Sequence, residues 1–252
     1  MRAISFLSTG ALILVLTSAG FSQTRPERSS TAAVVSDARS AIKLGNRMYS
    51  QAHYDDAIEQ YRRVPPSAGD RYSEALFNIG VCYYELWRTE DAIAMYRAAS
   101  SARDGKYPKA LYALGVALED LDNTSEARIA YSQSIDASNG EYAPAYYRLG
   151  LLLANTGDPE PAAKLFRSAI LHFKGPFPAA HNNLGVMLAR MKRFTEAEQE
   201  FAIALSESTG SQKDASFNLA LCRSLLKGPS VPLFAALKIT DVGVGSMPNQ
   251  RN

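Results

Sequence analysis

A small residue returns every 35 positions along most of this chain. Glycine occupies five successive positions of this step and alanine the sixth: Gly45, Gly80, Gly115, Gly150, Gly185 and Ala220. An alanine series and an aromatic series keep the same step: Ala57, Ala92, Ala127, Ala162 and Ala197, with Tyr61, Tyr96, Tyr131, Phe166 and Phe201. A fixed period of this length is typical of a solenoid, in which each unit packs against its neighbours along one elongated core.

Each unit has the pattern of two amphipathic helices. In residues 73–107, apolar and small residues recur three or four positions apart in two stretches: Leu76, Ile79, Gly80 and Tyr83, then Ala92, Ile93, Tyr96 and Ala99. This spacing places each set on one face of a helix. Glycine inside a helix costs up to about 1 kcal/mol relative to alanine, so its regular return predicts that two helices approach closely there.

The period divides the chain into five units and a closing helix. The units lie near residues 38–72, 73–107, 108–142, 143–177 and 178–212, and a capping helix follows at 213–226. Before this solenoid of residues 38–226, the polar residues 23–37 predict a flexible linker. After it, residues 228–252 form a C-terminal tail with several apolar residues, which is expected to be a partly ordered extension.

The first 22 residues have the pattern of a secretory signal peptide. Arg2 precedes the apolar run 3–19, and the small residues that follow predict cleavage after Gly20 or Ser22. The alternative is a retained inner-membrane anchor formed by residues 3–19, which is near the lower length limit for a span. We therefore expect an exported protein, either periplasmic in a bacterium or secreted, with membrane contact only if this segment is retained.

Charge and motifs argue against several classes of function. The formal net charge of +2 is too small to favour binding of nucleic acid. The sequence has no G-x-S-x-G, H-E-x-x-H or C-x-x-C motif and no phosphate-binding glycine loop. Cys82 and Cys222 stand four units apart, too far for a disulfide, and are predicted to be small core residues. We therefore expect no catalytic residues, no metal and no cofactor.

The recurring pattern resembles the tetratricopeptide repeat. Leu-Gly or Ile-Gly is followed by alanine twelve residues after the glycine and by Tyr or Phe four residues later. Three stretches carry the resemblance most clearly: 77–84, 112–115 and 181–185. It covers residues 38–226 and implies an all-α fold, a right-handed α-solenoid of antiparallel helix pairs. The usual period of that family is about 34 residues, so the extra residue here is expected in the loop between units.

The resemblance also implies that the first helix of each unit lines a concave groove. The residues expected to face this groove are Asn46, Tyr49, Phe77, Val81, Tyr84, Tyr112, Val116, Tyr147, Leu151, Asn182 and Arg190. An apolar, tyrosine-rich groove suits an extended or helical peptide, so the predicted partner is a protein or peptide. Two alternatives remain: packing of these residues between units with the partner elsewhere, or occupation of the groove by the chain's own tail.

One ligand of the family is not expected here. Chaperone tails are held by a carboxylate clamp, and Asn46, Asn78 and Lys109 occupy three of its positions. Ile42 and Ala113 occupy the two positions that need a cation, so a carboxylate would lack a charged partner. The predicted function is thus an exported, non-enzymatic scaffold that assists assembly of envelope or secreted complexes. The alternatives are a module that self-associates through its end faces or tail, and a noncatalytic subunit of a membrane complex.

Overall fold

The computed structural model describes residues 27–208, 213–228 and 235–242, and eleven α-helices lie within these ranges. Their bounds are α1 Glu27–Ser50, α2 Tyr54–Arg62, α3 Asp70–Glu85, α4 Thr89–Ser101, α5 Pro108–Asp120, α6 Thr124–Ala137, α7 Ala143–Ala154, α8 Pro159–His172, α9 Pro178–Arg190, α10 Phe194–Glu207 and α11 Lys213–Lys227. A 3₁₀ turn, Pro66–Ala68, precedes α3. The predicted signal peptide, residues 1–22, and the alternative anchor lie outside the described residues.

The helices pack in consecutive pairs that follow the sequence period. Short turns join α1 to α2, α3 to α4, α5 to α6, α7 to α8 and α9 to α10, and α11 closes the series without a described partner helix after it. Each second helix also packs against the first helix of the next unit, so the core continues along the whole stack. The predicted all-α solenoid of helix pairs is therefore confirmed.

The recurring glycines lie where the two helices of a unit touch. A Cβ atom on Gly115 would lie 2.5 Å from Cε1 of Tyr131, and one on Gly150 would lie 2.9 Å from Cε1 of Phe166. Both rings are fully buried. The ring of the second helix thus packs directly on the backbone of the first, which leaves no room for a side chain. The close approach predicted from the glycine series is confirmed.

The first helix is longer than the sequence predicts. We expected a linker over residues 23–37, but α1 begins at Glu27, so this prediction is wrong for residues 27–37. The physical reason is apolar burial: Ala38 is buried, and Val34 packs against the core of the first units. Val34 and Ala38, four positions apart, lie on one face of the helix and continue the apolar stripe of α1 towards its N-terminus.

Hydrogen bonds join each first helix to the first helix of the next unit. Five such pairs are separated by 36 residues, one more than the period: Tyr49 with Glu85, Tyr84 with Asp120, Tyr147 with Asn183, Ala154 with Arg190, and Asn182 with Asn218. Between α5 and α7 the hydrogen bond is that of Arg148 with Glu119, which are 29 residues apart. The first helices α1, α3, α5, α7, α9 and α11 therefore lie side by side. We call the continuous surface that they form the first-helix face.

Candidate functional site

Part of the C-terminal tail lies across the first-helix face. The hydroxyl of Tyr147 on α7 donates to the carbonyl oxygen of Thr240 at 2.6 Å, although the two residues are 93 positions apart in sequence. Further contacts come from α9 and α11. Over residues 235–242 the tail is therefore an internal ligand of this face, which is one of the alternatives that the sequence left open. The rest of the tail, 229–234 and 243–252, lies outside the described residues.

Two asparagines hold the backbone of this segment. The Asn183 side chain donates from Nδ2 to the carbonyl oxygen of Thr240 at 2.8 Å, and its Oδ1 accepts from the Thr240 amide at 2.7 Å. Asn218 likewise donates from Nδ2 to the carbonyl oxygen of Lys238 at 2.7 Å, and its Oδ1 accepts from the Lys238 amide at 2.9 Å. Each amide thus satisfies both backbone groups of one residue, as a neighbouring β-strand would. We call these two side chains the asparagine clamps.

The spacing of the asparagine clamps matches an extended segment. Asn183 and Asn218 are one period apart, and the residues that they hold, Lys238 and Thr240, are two positions apart. Two extended residues span about 7 Å, close to the roughly 8–10 Å between packed helices. The segment therefore runs from α11 to α9, against the order of the units, and advances two residues per unit.

Side chains of the segment are also held. Leu237 is buried in the same apolar cluster as Val186 and Leu221, and Ile239 packs against that cluster. Nδ2 of Asn182 lies 2.9 Å from Oγ1 of Thr240. These contacts bury Asn182 and both asparagine clamps completely. Three buried amides would be costly without partners, and here each has one.

A charged residue of α7 meets the acidic residue of the segment. Nη1 of Arg148 lies 3.1 Å from Oδ1 of Asp241, and its Nη2 lies 2.5 Å from Oε2 of Glu119 on α5. Burial opposes the charge of Arg148, but Tyr131 and Glu119 outweigh it and raise the pKa of Arg148 above its ordinary value. The guanidinium therefore stays charged. Burial likewise raises the pKa of Tyr147, so its hydroxyl stays protonated and donates to Thr240.

The predicted groove residues fall into three groups. Tyr147 and Asn182 hydrogen-bond to the segment, and Leu151 packs against the apolar cluster that contains Leu237. Phe77 packs within its own unit: its ring centroid lies 5.7 Å from that of Tyr96 and 5.5 Å from that of Tyr107. The rings of Tyr112 and Tyr131 likewise pack together at 5.8 Å, and Val116 and Val81 belong to or border the same core.

The remaining predicted residues bond to neighbouring side chains or helix ends. Oδ1 of Asn46 accepts from Tyr61 at 2.7 Å and from Asn78 at 3.3 Å. Tyr49 and Tyr84 donate to carboxylates of the next unit, Glu85 and Asp120. Arg190 donates to the carbonyl oxygen of Ala154 at the end of α7, where a cation is favourable. A role for these four residues in binding a partner stays a prediction.

The sequence prediction missed three residues that hold the segment. Arg148, Asn183 and Asn218 are absent from the predicted set, although Asn182 and Tyr147 beside them are in it. A signal for them exists in the sequence, because they continue one column at steps of 35: Lys43, Asn78, Ala113, Arg148, Asn183 and Asn218. Asn78 and Ala113, which occupy positions of the carboxylate clamp, belong to the same column.

The described residues offer little for metal or thiol chemistry. They contain no group of three or more His, Cys, Asp or Glu side chains arranged to hold a metal ion. Cys82 and Cys222 are free and buried, as predicted for core residues. Burial raises the pKa of the Cys82 thiol to about 12 and that of Cys222 to about 11, so both stay protonated at neutral pH. In the same ranges, no helix combines the length and apolarity that crossing a membrane requires.

Three solved structures illustrate what this fold is similar to. MamA is 26% identical, with a TM-score of 0.56 over 68% of this chain and 91% of its own. PilF of Pseudomonas aeruginosa is 15% identical, with a TM-score of 0.62 over 81% of this chain and 97% of its own. YrrB, described as a TPR protein with an unusual peptide-binding site, is 20% identical, with a TM-score of 0.55 over 78% and 95%. The likenesses to PilF and YrrB show the fold alone.

A family model confirms the relationship that the sequence pattern indicates. The model described as tetratricopeptide repeat matches residues 38–108, 88–142 and 147–215. A comparison with curated proteins gave no significant match. Proteins built from this repeat are scaffolds for protein–protein interaction, and the helix pairs and the occupied first-helix face agree with such an architecture. The chain therefore belongs to the tetratricopeptide repeat family.

Proposed function

We propose that the protein is an exported interaction scaffold that binds an extended segment of a partner protein on the first-helix face of α7, α9 and α11. One observation carries this proposal: the asparagine clamps bond to the backbone of Lys238 and Thr240. Backbone bonds of this kind accept an extended segment largely irrespective of its source. A partner segment would take the place that residues 235–242 now occupy.

The internal segment sets the affinity that a partner needs. The four clamp hydrogen bonds together stabilise the bound segment by about 2–6 kcal/mol. Because the segment is tethered, its effective concentration near the face is on the order of millimolar. A partner therefore has to bind more tightly than a free copy of the tail, or to displace the tail from a neighbouring position on the face.

The proposed location rests on the N-terminal sequence pattern of residues 1–22. An exported scaffold of this size suits assembly of envelope or secreted complexes, with no catalysis by the chain itself. The contact between tail and face also favours a second candidate function, in which the tail of one copy occupies the face of another and the protein self-associates. A noncatalytic subunit of a membrane complex is the third candidate, and retention of residues 3–19 would favour it.

Hydrogen exchange in the full chain tests the binding mode. We expect slow exchange of the Lys238 and Thr240 amides in the wild type, and fast exchange when Asn183→Ala and Asn218→Ala are combined. Asn155→Ala, which removes an exposed asparagine at the end of α7, is the matched control and should leave both amides protected. Fast exchange in the wild type would contradict the proposal.

Binding in trans tests the partner site. In a full-length variant with Lys238→Pro and Thr240→Pro, the tail lacks both amide protons that the asparagine clamps accept. We expect a fluorescent peptide with the sequence of residues 235–242 to bind this variant saturably, and to lose binding when Asn183→Ala and Asn218→Ala are added. Absence of binding to the proline variant, with its helical circular dichroism intact, would refute the proposed function.

Processing of the N-terminus tests export. We expect mass spectrometry of the protein expressed in a bacterium to find a mature chain that begins at Phe21 or Gln23, in the periplasmic or external fraction. A variant with Leu14→Arg, which interrupts the apolar run, should remain unprocessed in the cell. An intact chain in the membrane fraction would instead support the anchored alternative.

A further inference from the structure

We propose that the first-helix face selects partner segments in which a hydroxyl residue is followed by an acidic residue, with apolar residues on either side. The tail segment 237–242 is an example of this pattern. The inference rests on the proposed function, because it names the ligand chemistry of the same face. The asparagine clamps bind backbone and do not distinguish sequences, so selectivity comes from the side chains that face the segment.

Asn182 contacts the hydroxyl group of Thr240. Its Oδ1 accepts a hydrogen bond from Nδ2 of Asn218 at 2.9 Å, which fixes the orientation of the Asn182 amide. Nδ2 of Asn182 therefore points towards the segment and lies 2.9 Å from Oγ1 of Thr240. Nδ2 of Asn182 also lies 3.1 Å from the carbonyl oxygen of Lys238 and 3.2 Å from Oδ1 of Asn183. Because Asn182 is fully buried, an apolar side chain in place of Thr240 would remove the shortest of these three contacts, and water could not readily replace it.

Arg148 forms an ion pair with the acidic residue of the segment, Asp241. It occupies the column position at which the two following units carry the asparagine clamps. A guanidinium has donors only, so it cannot accept a backbone amide proton as asparagine does. Arg148 is held in place by Glu119 and directs Nη1 at the Asp241 carboxylate, 3.1 Å away. This column position of α7 therefore contacts a side chain of the segment, while Tyr147 on the same helix bonds to its backbone.

The other positions of the segment differ in which side chains they can accept. Leu237 is buried, and Ile239 and Val242 pack against the same apolar cluster, so these positions favour apolar residues. The Lys238 side chain is 55% exposed, with its ammonium 3.9 Å from Asp214 and 4.9 Å from the centre of the Phe217 ring. An exposed contact of this kind contributes little. Asn218 binds the backbone of Lys238, but the face does not discriminate among side chains at this position. A substitution at position 238 therefore serves as a control for those at positions 240 and 241.

Competition between peptides tests this inference. The receptor is the full-length variant with Lys238→Pro and Thr240→Pro, and the probes are peptides with the sequence of residues 235–242, measured by fluorescence anisotropy. We expect Thr240→Val in the peptide to weaken binding about three- to tenfold. We expect Asp241→Asn to weaken it about two- to fivefold, since the aspartate is largely exposed. Lys238→Ala should change it less than about twofold.

A receptor variant tests whether Arg148 causes the preference for an acidic residue at position 241. Glu119→Gln combined with Arg148→Gln removes both charges of the partly buried pair, which avoids leaving one of them unpaired. In this background we expect the peptides with aspartate and with asparagine at position 241 to bind equally, while the discrimination against Thr240→Val is retained. Persistent discrimination at position 241 would exclude Arg148 as its source.

The outcomes separate this inference from the proposed function. If no peptide binds, the proposed function fails. If the peptides bind but the changes at positions 240 and 241 have no larger effect than Lys238→Ala, the face binds segments without this selectivity and the inference is overturned. If the wild-type chain is dimeric by light scattering and the proline variant is monomeric, the occupant is the tail of a second copy, which overturns the assignment to a partner protein.

Discussion

Substitution of Gly115 by alanine tests the physical role of the recurring glycine. The added Cβ would lie 2.5 Å from Cε1 of Tyr131, so the ring would have to move by about 0.9 Å to reach ordinary contact at 3.4 Å. Tyr131 is fully buried and cannot move outwards. Overpacking of this kind costs about 1–3 kcal/mol, while alanine gains about 1 kcal/mol in helix propensity. If the clash costs about 3 kcal/mol, the upper end of that range, and helix propensity returns about 1 kcal/mol, Gly115→Ala should lower the free energy of unfolding by about 2 kcal/mol.

Matched variants separate the clash from propensity. Gly150→Ala places its Cβ 2.9 Å from Phe166, a milder contact, so its loss should be smaller, up to about 1 kcal/mol. Ala220, the sixth residue of the glycine series, is exposed. Ala220→Gly should therefore change helix propensity alone and lower the free energy of unfolding by up to about 1 kcal/mol. In a Tyr131→Leu background, Gly115→Ala should become neutral or stabilising.

Urea unfolding followed by circular dichroism measures these differences, provided that the slopes agree among the variants. Because a solenoid can unfold unit by unit, coincident transitions have to be checked with a second probe. If Gly115→Ala is as stable as the wild type, close packing of the ring on the helix backbone is not the reason for the glycine series.

Three further predictions follow from individual side chains. Trp87 has a left-handed backbone, φ 59°, and is 92% exposed, so Trp87→Gly should raise the free energy of unfolding by up to about 1 kcal/mol in urea, whereas Trp87→Ala should not. Burial raises the pKa of Tyr107 and Tyr142 to about 12, whereas unfolded tyrosine titrates near about 10. The unfolded chain therefore releases these protons first, and it releases the protons of Cys82 and Cys222 earlier still, near about pH 8.5. Stability should therefore begin to fall above about pH 8.5 and fall more steeply between about pH 10 and 12. Tyrosinate absorbance that precedes the loss of helical signal would contradict this. Cys82 and Cys222 should react with a thiol reagent no faster than the protein unfolds, since both are buried and protonated, and faster labelling would show that a unit opens locally.

The sequence predicted the repeating unit well because the contacts within it are short in range. Gly115 and Tyr131 are sixteen residues apart, and both return at every period, so the pattern itself records the contact. The prediction failed at α1, which begins before the first unit and packs Val34 against the core. The groove residues were predicted less well, since a position that holds the tail segment in one unit packs inside its own unit in another, as Asn182 and Phe77 show.

The sequence by itself determined the period and the helix pairs, because these depend on side chains that recur at fixed spacing. The family resemblance implied the surface formed by the first helices. Only the tertiary structure decided what occupies that surface. Asn183 and Asn218 hold residues 57 and 20 positions away through backbone groups, and every amino acid except proline offers the same amide and carbonyl. A contact with backbone leaves no pattern in the side chains of the segment that it holds, so the tail could be identified as a ligand only once the fold had brought it to the face.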